Sequence, residues 1–196
     1  MEKRTRKFDA IVCAAKTLFW KHGIRRVTIE EICMEAGVSR MTCYKYFHDK
    51  AAIAKFIIED MFENEMKAYK EILKTNVPYE EKVKMILELK IKNTFEISQE
   101  LLEDIYKNRE KEISDTFENA KKIMFAIYLE DFRKAKKAGE IRTDIKPEFI
   151  LYFLGQLPRM ITDEELVRIY PVPEKMIAEI FSFFFYGIMP QKSRKN

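Results

Sequence analysis

Arg40, Met41 and Thr42, followed almost at once by Tyr44, Lys45 and Tyr46, gather guanidinium, thioether, hydroxyl and ammonium groups on one short stretch. Together they suit the edge of a DNA groove. A guanidinium can fork onto guanine O6 and N7 or clamp a phosphate, and the Met41 side chain and the Thr42 methyl can touch a thymine methyl. Tyr44, Lys45 and Tyr46 can reach phosphate oxygens through hydroxyl and ammonium groups. Other chemistries find little support. The two histidines are His22 and His48, and Phe19 and Lys45 stand three positions before them, so the Glu-x-x-His of a di-iron bundle is missing. A Ser-His nucleophile would have to borrow one of the same histidines, with no strand-turn-helix elbow to hold it. No glycine-rich phosphate loop occurs among the five glycines. The expectation is a chain with no catalytic residues, no metal and no cofactor.

Two short helices must position these groups. Thr28 is placed as a helix N-cap with Glu31 three residues on, which completes a capping box. Ile29, Ile32, Cys33 and Ala36 then fall at i, i+3, i+4 and i+7, one apolar stripe. Gly37 suits the position just past the helix end, where the left-handed conformation is cheap for a residue without Cβ. Val38 can plug the angle between the helices, and Ser39 caps the second one. Such a helix-turn-helix puts its second helix in the major groove, its N-terminal residues at the base edges.

This segment resembles the DNA-binding domain of the TetR family of bacterial transcriptional regulators over about the first 60 residues. The likeness runs through Ile11-Val12-Cys13-Ala14-Ala15, Leu18-Phe19, Gly23, Thr28, Ile32, Ala36-Gly37-Val38-Ser39, Thr42, Tyr44, Phe47, Lys50 and Ile53. Three positions depart from the family pattern: Met41 stands for a small residue, Cys43 for a bulkier apolar one, and Trp20 for a polar one. Met41 bears on which base sequence is read. The resemblance implies DNA contacts from Thr28, Tyr44 and Lys50. With the groups of the second helix, the expected DNA-binding set is Thr28, Ser39, Arg40, Met41, Thr42, Tyr44, Lys45, Tyr46 and Lys50. Phe47 is expected in the core, packing the motif onto the first helix.

Charge is concentrated where DNA would lie. Residues 1–50 hold 11 Lys/Arg against 6 Asp/Glu, a balance of +5, so the whole-chain 36 against 32 leaves −1 for the rest. That asymmetry fits a phosphate-facing terminus. Cys13, Cys33 and Cys43 form no CxxC and suit a reducing cytoplasm. Cys33 and Cys43 read as small buried hydrophobes, whereas Cys13 lies off the Ile11/Ala15/Leu18 stripe and is the candidate for thiol chemistry. Asp9 and Lys16 interrupt any secretory apolar region, and the longest uncharged run, Ile180 to Gln191, is too short to span a bilayer. The expected location is the cytoplasm of a bacterium, on the nucleoid when bound.

Helical periodicity recurs along the chain and no convincing strand alternation appears. The expected class is all-α, with about nine helices: an N-terminal three-helix domain over 1–50 and a helical effector-binding and dimerisation domain over 51–196. Helix one spans about Arg4–His22. Asp49 caps helix four, the connector from Lys50 to about Lys74, and helices five and six cover about Tyr79–Glu96 and Ser98–Lys111. Ser114 or Asp115 caps helix seven, which stops at Gly139. Helix eight covers about 147–161, a Thr162/Glu165 capping box opens a short piece, and Pro173 starts helix nine to about 188.

Helices eight and nine are apolar all round. A helix without a polar face must be buried on every side, and a second copy of the chain is the simplest cover. The TetR resemblance implies a homodimer through a four-helix bundle of these helices. Phe149, Phe153, Phe181, Phe184 and Phe185 are the expected dimer contacts. A domain this rich in Phe, Tyr and Met can enclose an apolar cavity with a few polar tips. Phe95, Tyr106, Phe125, Tyr128 and Tyr152 are its candidate lining, and Glu96, Glu100 and Glu103 favour a largely apolar small-molecule effector with a cationic end. The expected function is a ligand-responsive repressor that binds a palindromic duplex as a dimer. Two others fit the same residues: a ligand-independent DNA binder, or a TetR-shaped module controlled by a protein partner.

Overall fold

The computed structural model describes residues 5–94, 98–106, 111–161, 163–170 and 172–190. Among these the chain is helical, with no strand. Ten helices follow one another: α1 (Arg6–His22), α2 (Ile29–Glu35), α3 (Arg40–Tyr46), α4 (Lys50–Lys74), α5 (Tyr79–Thr94), α6 (Gln99–Tyr106), α7 (Lys111–Lys137), α8 (Pro147–Ile161), α9 (Glu164–Ile169) and α10 (Pro173–Ile188). The tenth is the short piece before Pro173, which forms a helix of its own. Thr162 lies outside the described residues. Asp163 caps α9, its Oδ1 accepting from the N–H groups of Glu165 and Leu166 at 3.1 Å each.

The chain forms two compact units, Met1–Glu65 with Glu96–Lys121, and Met66–Phe95 with Lys122–Asn196. Helices α4 and α7 are each divided between them.

In the first unit, Thr5 caps α1 by accepting from Phe8 N–H at 3.2 Å, and Ile11, Ala14, Ala15, Phe19 and Trp20 are buried. Gly23 ends the helix at φ 78°, a backbone conformation open to glycine alone at low cost. Phe8, Phe47 and Phe56 form an aromatic cluster, with Phe8–Phe47 stacked at 5.3 Å and Phe8–Phe56 edge-on at 5.1 Å. Phe47 is therefore core, as expected, and ties the end of α3 to α1 and α4. Asp49 caps α4 through Ala52 N–H at 2.7 Å. Ser114 does not cap α7: the helix begins at Lys111, and the buried Ser114 hydroxyl donates to Ile105 O at 2.9 Å, joining α7 to the end of α6.

In the second unit, Leu157, Ile177 and Phe181 form a buried cluster, with Leu87, Phe153, Leu154, Met160 and Ile180 packed on it. Phe153 and Phe184 stack at 5.4 Å with an interplanar angle of 6°. Arg142 closes the turn after α7 onto the end of α10: its N–H donates to Ile188 O at 3.0 Å and its Nη1 to Gly187 O at 3.1 Å. The same guanidinium holds the Asp144 carboxyl down at about 2.

The all-round apolar character of the last helix resolves into two faces. Met176, Ile177, Phe181, Phe184, Phe185 and Ile188 point into the unit, whereas Phe183 (80%) and Tyr186 (74%) are bare. On α8, Ile150, Leu151 and Leu157 are buried, while Phe149 (57%) and Tyr152 (65%) stand outside.

Candidate nucleic-acid interface

The α2–turn–α3 segment is built by caps on both helices. Thr28 N–H donates to Glu31 Oε2 at 2.7 Å and Glu31 N–H donates to Thr28 Oγ1 at 3.2 Å, the reciprocal capping box. The Thr28 N–H foremost, and next the Thr28 hydroxyl, which donates to the same Oε2 at 3.0 Å, favour the ionised carboxylate and lower the Glu31 pKa. Gly37 sits at φ 64°, with Val38 N–H returning to Cys33 O at 3.0 Å. That geometry ends α2 and turns the chain. Ser39 Oγ accepts from Thr42 N–H at 3.2 Å and lies 3.0 Å from Thr42 Oγ1, so it caps α3.

Helix α3 then divides cleanly. Cys43 is fully buried and Phe47 nearly so, which holds the helix from behind. Arg40, Met41, Tyr44 and Lys45 face water, Met41 at 83% exposure and Tyr44 at 50%. Arg40 forms an ion pair with Glu30 of α2. Burial, with Cys33 beside it, pushes the Cys43 thiol up to about 11. That is a structural thiol and not a nucleophile. Cys13, by contrast, is exposed.

Tyr46 and Lys50, also of the expected set, have internal partners outside α2 and α3. Tyr46 Oη shares a hydrogen bond of 2.7 Å with Thr5 Oγ1, and its ring packs edge-on against Phe8. Lys50 Nζ donates to Arg25 O at 2.9 Å and to Val27 O at 2.8 Å, so two of its three protons fasten the α1–α2 turn. Sequence offered no signal for that clamp, because carbonyl acceptors carry no residue identity.

Three of the candidate pocket residues have described side chains: Phe125, Tyr128 and Tyr152. Phe125 and Tyr128 are near neighbours in α7, with ring centroids 6.3 Å apart, and Phe125 lies against Gly155 of α8, where a Cβ would meet its ring at 3.6 Å. Tyr152 is on the surface. Phe95 and the Tyr106 side chain lie outside the described residues, as does Glu96. What stands beside Tyr128 instead is Tyr69, 4.4 Å between centroids, whose hydroxyl donates to Asp131 Oδ2 at 2.9 Å; Tyr79 donates to the same oxygen at 2.9 Å. Burial, and next the Asp131 charge, push both phenols far above the usual tyrosine range. The spacing Tyr128-x-x-Asp131 placed that carboxylate on one face with Tyr128, but its tyrosine partners come from 52 and 62 residues away. Of the expected dimer contacts, Phe181, Phe184 and Phe185 are buried inside the unit, Phe153 is half-buried and Phe149 is exposed.

Among the described residues no three His, Cys, Asp or Glu side chains lie close enough to hold a metal, and no helix is long and apolar enough to cross a membrane.

A capped two-helix turn that bares a polar and basic helix tip has the geometry of a helix-turn-helix. Residues 11–56 match the family model described as bacterial regulatory proteins, tetR family. No match is found among curated protein sequences. Solved structures share the fold over nearly the whole chain. The fatty acid degradation regulator FadR from Bacillus halodurans superposes with a TM-score of 0.74 at 18% identity, covering 95% of this chain and 98% of its own. The regulatory protein TetR from Rhodobacter sphaeroides gives 0.75 at 14% identity, covering 94% and 100%. SmeT, the repressor of the Stenotrophomonas maltophilia multidrug efflux pump SmeDEF, gives 0.67 at 19% identity, covering 96% and 92%; SmeT is also solved in complex with triclosan. The fold of this chain is the one these three solved structures share.

Proposed function

We propose that this protein is a repressor that binds a palindromic duplex as a homodimer and releases it when its second unit takes up a small, largely apolar molecule. The observation that carries the DNA reading is the face of α3. A thioether left 83% bare beside a half-exposed tyrosine, on a helix anchored by buried Cys43 and Phe47, lacks a partner of its own. A major groove supplies one, thymine methyls for Met41 and phosphates for Tyr44 and Lys45. Arg40 can exchange its carboxylate for guanine, and Thr42 stands beside it in the first turn. Thr28 and Ser39 lie at helix N-termini, where exposed N–H groups favour anions. Tyr46 and Lys50 act first by holding α3 and the α1–α2 turn in place.

Dimerisation is supported by the outer face of α8 and α10. Phe149, Tyr152, Phe183 and Tyr186 are large, aromatic and exposed. They replace Phe181, Phe184 and Phe185 as the proposed contacts, since a residue already buried in its own unit has little area to give. Two recognition helices one helical turn apart, about 34–36 Å, would meet successive major grooves. Ligand response is supported by the shared fold with SmeT, solved with triclosan.

Selection from a randomised duplex pool tests the reading. A palindrome whose binding weakens steeply with salt is the expected result. Recovery of no preferred sequence would remove the regulator function.

A further inference from the structure

The α1–α2 turn is gripped from two sides, and one grip comes from far along the chain. Asp104 of α6 is only 7% exposed, yet its Oδ2 accepts from Arg25 N–H at 2.9 Å across 79 residues of sequence. Burying a carboxylate costs free energy unless the site returns hydrogen bonds to it. Here it receives a backbone N–H in the turn that leads into Thr28. Approach to the turn is close enough to require glycine: a Cβ at Gly23 would lie 2.7 Å from Asp104 Oδ2 and 3.2 Å from Glu100 Cβ. One turn earlier, Ser98 N–H donates to Trp20 O at 2.9 Å. Lys50 takes the carbonyls of the same turn, Arg25 O and Val27 O. Both polar groups of the Arg25 residue are thus held, the N–H by a carboxylate and the C=O by an ammonium.

We propose that Asp104 is a positioning residue for DNA recognition. It fixes the α1–α2 turn, and through the turn sets the start of α2 and the bearing of α3. The proposal rests on the DNA-binding reading above. Asp104 never touches DNA; a carboxylate at a phosphate would repel it. It acts because Thr28 follows Arg25 by three residues, and a turn free to shift would let the whole capped motif rotate on the Phe8–Phe47–Phe56 cluster. The backbone carbonyl of Trp20 is the second point at which the α6 segment is fastened.

The test compares the full-length protein with Asp104→Ala and Asp104→Asn. The probes are the duplex that the wild type recovers from a random pool and a shuffled duplex of equal composition. Loss of a charge-assisted hydrogen bond should weaken Asp104→Ala on the recovered duplex roughly 10- to 100-fold. The shuffled duplex, bound through phosphates, should change by no more than about twofold. Hydrogen exchange at the Arg25 amide should accelerate while Ile11 and Ile32 stay protected. Asparagine keeps an oxygen acceptor at the same reach and should restore most of the specific affinity. Unchanged specific affinity in Asp104→Ala would overturn the proposal. So would equal loss on both duplexes with protection lost throughout the unit, the mark of a merely structural residue. Should Asp104→Ala fail to fold, Asp104→Ser, polar but too short to reach the amide, gives the same comparison. If the wild type recovers no duplex, the regulator reading falls and the proposal with it, while the exchange result still shows whether Asp104 holds the turn.

Discussion

Phe183→Asp should separate the proposed dimer without unfolding either chain, and its size can be worked from exposure. A buried aromatic side chain covers 150–250 Å², so at about 200 Å² each the bare fractions of Phe149, Tyr152, Phe183 and Tyr186 give roughly 550 Å² per protomer. A standard interface buries about 800 Å² per partner, so these four rings would supply most of it. Phe183, 80% exposed, accounts for about 160 Å², or ~4 kcal/mol at 25 cal/mol per Å². A two-fold interface contains the position twice, but association returns only part of the area as affinity. Half of the doubled figure, ~4 kcal/mol, raises the dissociation constant about a thousandfold. A buried aspartate would add to this. Sedimentation equilibrium from nanomolar to hundred-micromolar protein reads the constant directly, and circular dichroism reports the fold. Phe184→Asp is the contrast: it places the charge inside the unit, against Phe153, and should unfold the chain. A monomeric wild type at micromolar concentration, or a Phe183→Asp variant that dimerises like the wild type, would refute the reasoning.

Lys45→Ala should weaken binding to all duplexes alike and reduce the salt slope by about 0.9, the signature of one lost phosphate contact. Lys50→Met should leave the slope unchanged and lower the melting temperature instead, because its ammonium is committed to Arg25 O and Val27 O. Met41→Ala and Arg40→Ala should relax base preference by ~1–3 kcal/mol per reading contact, seen as degenerate positions in the selected palindrome. Tyr69 and Tyr79 have folded pKa values raised above the ordinary 10.0, so the unfolded chain ionises first. Their contribution is fully present below that pH and is lost progressively above it. Denaturant midpoints should fall from about pH 10 upward with a slope approaching two protons, and Tyr69→Phe/Tyr79→Phe should flatten the fall. A stability that keeps rising through pH 11 would contradict the Asp131 network.

Local structure was readable because short-range rules decide it. Thr28 with Glu31, Gly37 and Ser39 specify caps and a turn within four residues of themselves, and each was found in place. The all-helical class and Asp49 at the start of α4 were also legible in the sequence, and Phe47 lies in the core as expected. Helix ends marked by weak caps were less legible: α7 starts before Ser114 because Ser114 answers a carbonyl of α6.

The tertiary structure decided what those elements face. An apolar helix announces that it must be covered, but periodicity does not say by what; packing assigned Phe184 to the chain's own core and left Phe183 outside. A lysine near a DNA-reading helix looks like a phosphate ligand until two carbonyls are found on its ammonium. Asp104 and Asp131 look like ordinary members of polar helix faces, and their partners lie 52 to 79 residues away. Side-chain type and spacing determine which groups can bond within a turn of helix. Which donor meets which acceptor across the chain depends on where the backbone brings them, and backbone N–H and C=O groups are the same at every residue.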